Sequence, residues 1–211
     1  MEVNSNKRSV RKKDGDVPLP MRERILEESV KLFLRKGFSG ASIKDITEAV
    51  NLSKGSLYWH FKSKNDLLEV IIRQFERGFL DGLIESVNDV QGGFTEKFNR
   101  YHKHVTEFAV KTRDLSLVIT TLSAELSGSG TKAERQIRNM YAKYHAFVKE
   151  LLELGKRDGK IKKELDTDVT THVIIAFHDG IFLEWYRHHK TLDGRVLAKT
   201  FRDIVLGGII R

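Results

Sequence analysis

Both prolines of this 211-residue chain, Pro18 and Pro20, stand before Met21, and from Met21 to Arg211 every residue keeps its backbone N–H. Over that span apolar residues recur at helical spacing and no run alternates as a strand would, so the expected fold class is all-α. Cap chemistry places the boundaries, because a hydroxyl or carboxylate satisfies the first unbonded amides and glycine tolerates a left-handed exit. The first helix is expected from about 21 to 36, stopped by Gly37, with Ile25, Leu26, Val30 and Phe33 inward. Ser42 with Asp45 three positions on opens a second, carrying Ile43, Ile46, Ala49 and Val50 on one side, and Ser53 opens a short third. Ser63 with Asp66 opens a fourth, which buries Leu67, Leu68, Ile71, Ile72, Phe75 and Phe79. Beyond Gly92-Gly93, helices are expected near 95–112, 114–127, 131–157, 167–189 and 193–210, about nine in all.

A hydrophobic fraction of 40% is that of a folded globular chain. No apolar run approaches the roughly 18 residues that a membrane span needs, and no apolar signal segment follows the basic N-terminus. A cytoplasmic location without membrane contact is therefore expected. The absence of cysteine removes disulfides, thiol nucleophiles and thiolate zinc sites. The net charge of +8 is uneven: residues 1 to 64 hold 14 basic against 8 acidic side chains, and the remainder 23 against 21. An excess confined to the first third favours an anionic partner, nucleic acid above all.

Residues 51–68, NLSKGSLYWHFKSKNDLL, set four ring-bearing side chains in a row among serines and lysines. Ser42 to Val50 and Ser53 to His60 have the spacing of a helix-turn-helix, whose second helix enters the major groove. Leu57 and Phe61, four apart, share one side and anchor the short helix inward. Tyr58, Trp59 and His60 then project outward, where their O–H and N–H groups can donate to phosphate. Lys54, Gly55 and Ser56 occupy the first turn, which meets base edges, and Gly55 lets the backbone approach closely. Ser42 and Lys64, at two other helix starts, are placed to clamp the DNA backbone on either side.

The segment IKDITEAVNLSKGSLYWHFKSKNDLL, with Gly37-Phe38 before it, resembles the DNA-binding signature of the tetracycline-repressor (TetR) family over residues 22–68. The resemblance implies a helix-turn-helix domain of three helices at 21–66 and a larger helical domain for effector binding and dimerisation at 67–211. The basic arm, 1–20, with Lys7, Arg8, Arg11, Lys12 and Lys13, precedes them. It further implies a homodimer that reads a palindromic double-stranded operator and responds to a small molecule. Carried over by residue, Lys54 and Ser56 contact bases or groove, and Ser42, Tyr58, Trp59, His60 and Lys64 mainly phosphate. Ser42 stands where the family more often has threonine. The arm is expected to add sequence-independent affinity.

In the larger domain the implied dimer face comprises Phe177, Ile181, Trp185, Leu197, Phe201 and Ile204. The implied effector cavity is lined by Phe98, Tyr101, His102, Val105, Phe108, Leu122, Met140, Tyr141, Tyr144, His145, Phe177 and His178. Such a lining suits a flat or lipophilic molecule. No cofactor and no metal site is expected, since His102 and His104 lie on opposite sides of a helix, His188-His189 are adjacent, and only Glu184 with His188 share a face. With no nucleophile elbow, phosphate loop or His-Glu-x-x-His motif, the chain is not expected to be an enzyme. The expected activity is that of a ligand-responsive repressor. The alternative is a DNA-organising or protein-recruiting factor without an effector, which would have a filled helical core.

Overall fold

The computed structural model describes residues 20–210; all of the basic arm except Pro20 lies outside the described residues. The helices are α1 Met21–Gly40, α2 Ile43–Val50, α3 Lys54–His60, α4 Lys64–Phe75, α5 Gly82–Asn88, α6 Phe94–Lys111, α7 Arg113–Glu125, α8 Lys132–Arg157, α9 Thr167–His188 and α10 Gly194–Ile209. A π-helical turn, Glu76–Asp81, joins α4 to α5 without a break, so the described residues hold nine helical rods and no strand. The fold is the expected all-α one, and among the described residues no helix is long and apolar enough to cross a membrane.

Caps formed as their chemistry predicts. Ser42 and Asp45 make a reciprocal capping box at α2, and the hydroxyls of Ser53 and Ser63 accept from the amides of Ser56 and Asp66. Asp166 and Asp193 cap α9 and α10 in the same way. α1 leaves helical geometry at Gly37, whose φ of 71° falls where a side chain would be strained. On α2 the buried set is Ile46, Thr47 and Val50, spaced one and then three residues apart on one face, and Ala49 falls off that face and is exposed; the Thr47 hydroxyl is satisfied by the Lys44 carbonyl.

The π-turn was not anticipated. There α6 crosses close to the rod: a Cβ on Gly78 would stand 3.2 Å from the Phe108 ring. His104 Nε2 bonds to the Phe79 carbonyl at 3.1 Å, and its Nδ1 lies 3.3 Å from Ser86 Oγ. Such turns widen a helix and free carbonyls for partners of this kind.

One continuous apolar cluster runs from Ile25 and Phe33 in the N-terminal helices to Ile174 and Phe201 in the last two. Its backbone comes close to a core ring at Gly155 of α8, where an added Cβ would lie 2.8 Å from the buried Phe94 ring. Gly155→Ala therefore tests packing against propensity. Overpacking costs about 1–3 kcal/mol and the gain in helix propensity is about 1 kcal/mol, so the denaturation midpoint should fall. A raised midpoint would show that Phe94 yields without cost.

Candidate functional site

Two sites stand at opposite ends of the α4 and α7 helices. In the first, α3 is held by its inward pair, Leu57 and Phe61, which are 0% and 1% exposed. The outward set is as expected: Trp59 is 91% exposed, Tyr58 44%, and His60, Lys54 and Gly55 are also open to solvent. Ser56 is half-buried, with its amide on Ser53 Oγ and its own hydroxyl 2.8 Å from that atom. Ser42 is exposed, but its hydroxyl donates to Asp45 Oδ2 at 2.6 Å, so its proton is committed to the cap.

Lys64 departs from the expected phosphate clamp. Its ammonium donates to the carbonyls of Phe38 and Ala41, each at 2.7 Å, and sits 4.3 Å over the Phe38 ring. Burial lowers its pKa, against the opposing charge of Glu125. These carbonyls, left free where α1 breaks at Gly37, take two of the three ammonium donors, and Lys64 closes the corner between α1 and α2. From the other side, Glu125 at the end of α7 accepts the amides of Phe38 and Ser39 at 3.0 and 2.9 Å. Burial opposes the Glu125 charge, but these amides and Lys64 hold its pKa below the usual range.

The second site lies inside the larger domain, where two narrow cavities flank His178 and Phe182. One, of about 40 Å³, is walled by His102, Val105, Thr106, Ile181, Trp185, Leu197 and Phe201 among others. The other, of about 30 Å³, is walled by Phe75, Phe79, Ser116, Thr120, Met140, Tyr141, Tyr144 and Asp179. Each has room for a few waters at most. An open cleft of about 580 Å³ between α1 and the α6–α7 turn shares Val110 and Trp185 with the first cavity.

Of the expected effector residues, Val105, Met140, Tyr141, Tyr144, His178 and His102 do line these cavities, and Tyr101 bonds to Tyr144 beside them. Phe98 packs behind Tyr101, Phe108 packs on Phe75 and Phe79, and Leu122 is buried elsewhere in the core. His145 does not join them; it faces His172 across α8 and α9, ring centroids 4.2 Å apart. Phe177 is 52% exposed and points away.

The expected dimer face divides. Phe177 and Ile204 lie outward with Val169, Val173 and Val196, all between 47% and 66% exposed. Ile181, Trp185, Leu197 and Phe201 instead line the first cavity. Successive steps of four residues rotate by about 40° on an α-helix, so the run Phe177, Ile181, Trp185 turns from the outer to the inner surface. Asp179, Thr120, Ser116 and Phe182 carried no role in the sequence reading; a carboxylate in the middle of the apolar α9 was the available signal.

The chamber is polar at its centre and carries one carboxyl, Asp179, in its wall. Tyr144 Oη stands 2.9 Å from Tyr101 Oη and 3.0 Å from His178 Nδ1. Burial lowers the pKa of His178 to about 3, helped by His102, and that of His102 to about 4, helped by Arg202. Burial raises Asp179 to about 6, although Tyr141 and Thr120 donate to it. Among the described residues no three His, Asp or Glu side chains converge on a metal position.

These shifts set opposed proton linkages. Both imidazoles stay neutral in the fold while the unfolded chain protonates near 6.5, so their contribution is lost as pH falls below that value. Asp179, raised from 3.8, contributes the opposite trend, losing stability as pH rises from about 4 to 6. Each coupled proton gives a slope of about 1.4 kcal/mol per pH unit. Between pH 6.5 and 4.5, His178→Phe should flatten the fall in unfolding free energy and Asp179→Asn should steepen it. Identical slopes in all three proteins would contradict this assignment.

The family described as bacterial regulatory proteins, tetR family, matches residues 25–71, and that described as tetracyclin repressor-like, C-terminal domain, matches residues 91–209. The chain is 26% identical over 193 residues to the HTH-type transcriptional repressor KstR2 of Mycolicibacterium smegmatis, covering 91% of this chain and 92% of that one. The crystal structure of the MbdR regulator from Azoarcus sp. CIB superposes with a TM-score of 0.83 at 24% identity, over 91% of this chain and 100% of that one. AibR, solved in complex with isovaleryl coenzyme A and operator DNA, superposes at 0.73 with 21% identity, over 86% and 96%. The two family matches together span most of the described residues, and the chain belongs to the TetR family of bacterial regulatory proteins.

Proposed function

We propose that this protein is a ligand-responsive transcriptional repressor, acting in the cytoplasm as a homodimer on a palindromic operator and released by a small lipophilic effector. The observation that carries the DNA reading is the division of α3 into a fully buried anchor, Leu57 and Phe61, and an exposed Lys54, Tyr58, Trp59 and His60 set. Exposed aromatic groups bearing N–H and O–H donors beside lysines suit phosphate and groove contacts better than they suit water. Ser42, Gly55 and Ser56 border that surface, while Lys64 contributes by fixing the corner.

The homodimer reading rests on the outward stripe Val169, Val173 and Phe177 of α9 beside Val196 and Ile204 of α10. Gly180, Gly207 and Gly208 are open to the same surroundings, with nothing within 4 Å of an added Cβ. Pairing two such helices with their symmetry mates would close a four-helix bundle over the apolar stripe. The effector reading rests on the cavities around His178, with their aromatic walls and buried polar centre. AibR, a structural neighbour, was solved with isovaleryl coenzyme A and with operator DNA, so this fold accommodates both a small molecule and DNA.

A second reading, a DNA-organising factor without effector, draws on one observation: cavities of about 40 and 30 Å³ are too small for a ligand as they stand. The effector reading therefore requires His178, Phe182 and their neighbours to part when ligand enters.

Fluorescence anisotropy against the intergenic DNA beside the protein's own gene, with unrelated competitor, separates these readings. Nanomolar, competitor-resistant binding is expected. Lys54→Ala should weaken it by about 1–3 kcal/mol, and Ile204→Glu should convert dimer to monomer in sedimentation and abolish tight binding. Equal, salt-sensitive binding to both DNAs would favour the second reading.

A further inference from the structure

His178 is 7% exposed and borders both cavities, yet only one edge of its ring is bonded. Nδ1 faces the Tyr144 hydroxyl at 3.0 Å and the Tyr101 hydroxyl at 3.3 Å, and Nε2 is buried with no hydrogen-bond partner. Buried polar atoms are rarely left so.

Counting protons assigns the tautomer. If Nδ1 is bare, Tyr144 donates to it and Tyr101 donates to Tyr144, so both phenolic protons are used and the ring proton sits on Nε2. If Nδ1 carries the proton, one phenol is left without an acceptor and Nε2 without a donor. The first arrangement leaves one group unmatched and the second leaves two. Burial excludes the doubly protonated ring. The ring therefore holds a fixed N–H on Nε2, buried behind walls that include Phe182, Trp185, Leu197 and Phe201 and uncovered only when those walls part.

Complementarity then limits what can stand opposite. An anionic acceptor would bury a charge between walls that hold neutral His102, Asp179 and, among the described residues, no lysine or arginine. A ligand N–H would meet another donor. Resting on the reading of these cavities as the effector site, we infer that His178 Nε2–H is the specificity donor for a neutral carbonyl oxygen, as in a ketone, ester or thioester, on an otherwise lipophilic effector. Tyr144 and Tyr101 are positioning residues that hold its tautomer.

The chain has two tryptophans, and Trp59 lies on the α3 surface, so Trp59→Phe leaves Trp185 in the cavity wall as the sole emitter. In that background, cyclohexyl methyl ketone and isopropylcyclohexane are titrated by Trp185 emission; they share one skeleton, with a methyl in place of the carbonyl oxygen. The ratio of their affinities should shift against the ketone by at least tenfold in His178→Phe. An unchanged ratio would overturn the carbonyl assignment while leaving the chamber as a ligand site. Binding of neither probe would overturn the effector reading and this inference with it. Nitrogen-15 spectra of the unmutated His178 ring provide an independent test, because an Nδ1–H tautomer in the free protein would also overturn the assignment.

Discussion

The posture of the DNA-facing helices depends on one backbone corner, Gly37 to Ala41, gripped from both sides. Lys64 takes its carbonyls and Glu125 takes its amides, so opposite charges pull on the two polarities of the same few peptides. The corner exists because Gly37 turns to φ 71° and ends the helical ladder of α1, freeing the groups that the two side chains then satisfy. Each bond is partly open to water and individually modest. Their value is directional: with both ends satisfied, α2 and α3 have one orientation relative to α4 and α7.

The same two helices reach the chamber. Lys64 begins α4, and Phe75 at its end borders one cavity; Ser116 and Thr120 of α7 border that cavity five to nine residues before Glu125. A ligand that widens this cavity by displacing Phe75, Ser116 or Thr120 would move a helix that holds the corner. Coupling between effector and DNA then needs no special relay, and it must be reciprocal in binding free energy.

Local chemistry made much of this legible before any coordinates. Ser42 with Asp45, the inward Leu57 and Phe61, and the outward Trp59 all follow from cap residues and four-residue spacing, which act within one turn. What escaped depends on partners distant in the chain. Lys64 reads as a free cation until the broken end of α1 is brought beside it. Trp185 and Phe201 read as an outer stripe until the slow rotation of an i, i+4 run carries them inward. The π-turn needs the close crossing of α6 at Gly78, and the chamber's polar centre needs Tyr101, Tyr144 and His178 to meet from three helices.

The central claim, that the grip on residues 37–41 sets the DNA-binding posture, is tested most directly by the operator affinity of Glu125→Ala. Removing an acidic side chain would by charge alone strengthen attraction to phosphate. The grip predicts the reverse: a loss of at least tenfold in affinity, with a thermal midpoint close to that of the unaltered protein. An affinity equal to or higher than that of the unaltered protein would contradict the account.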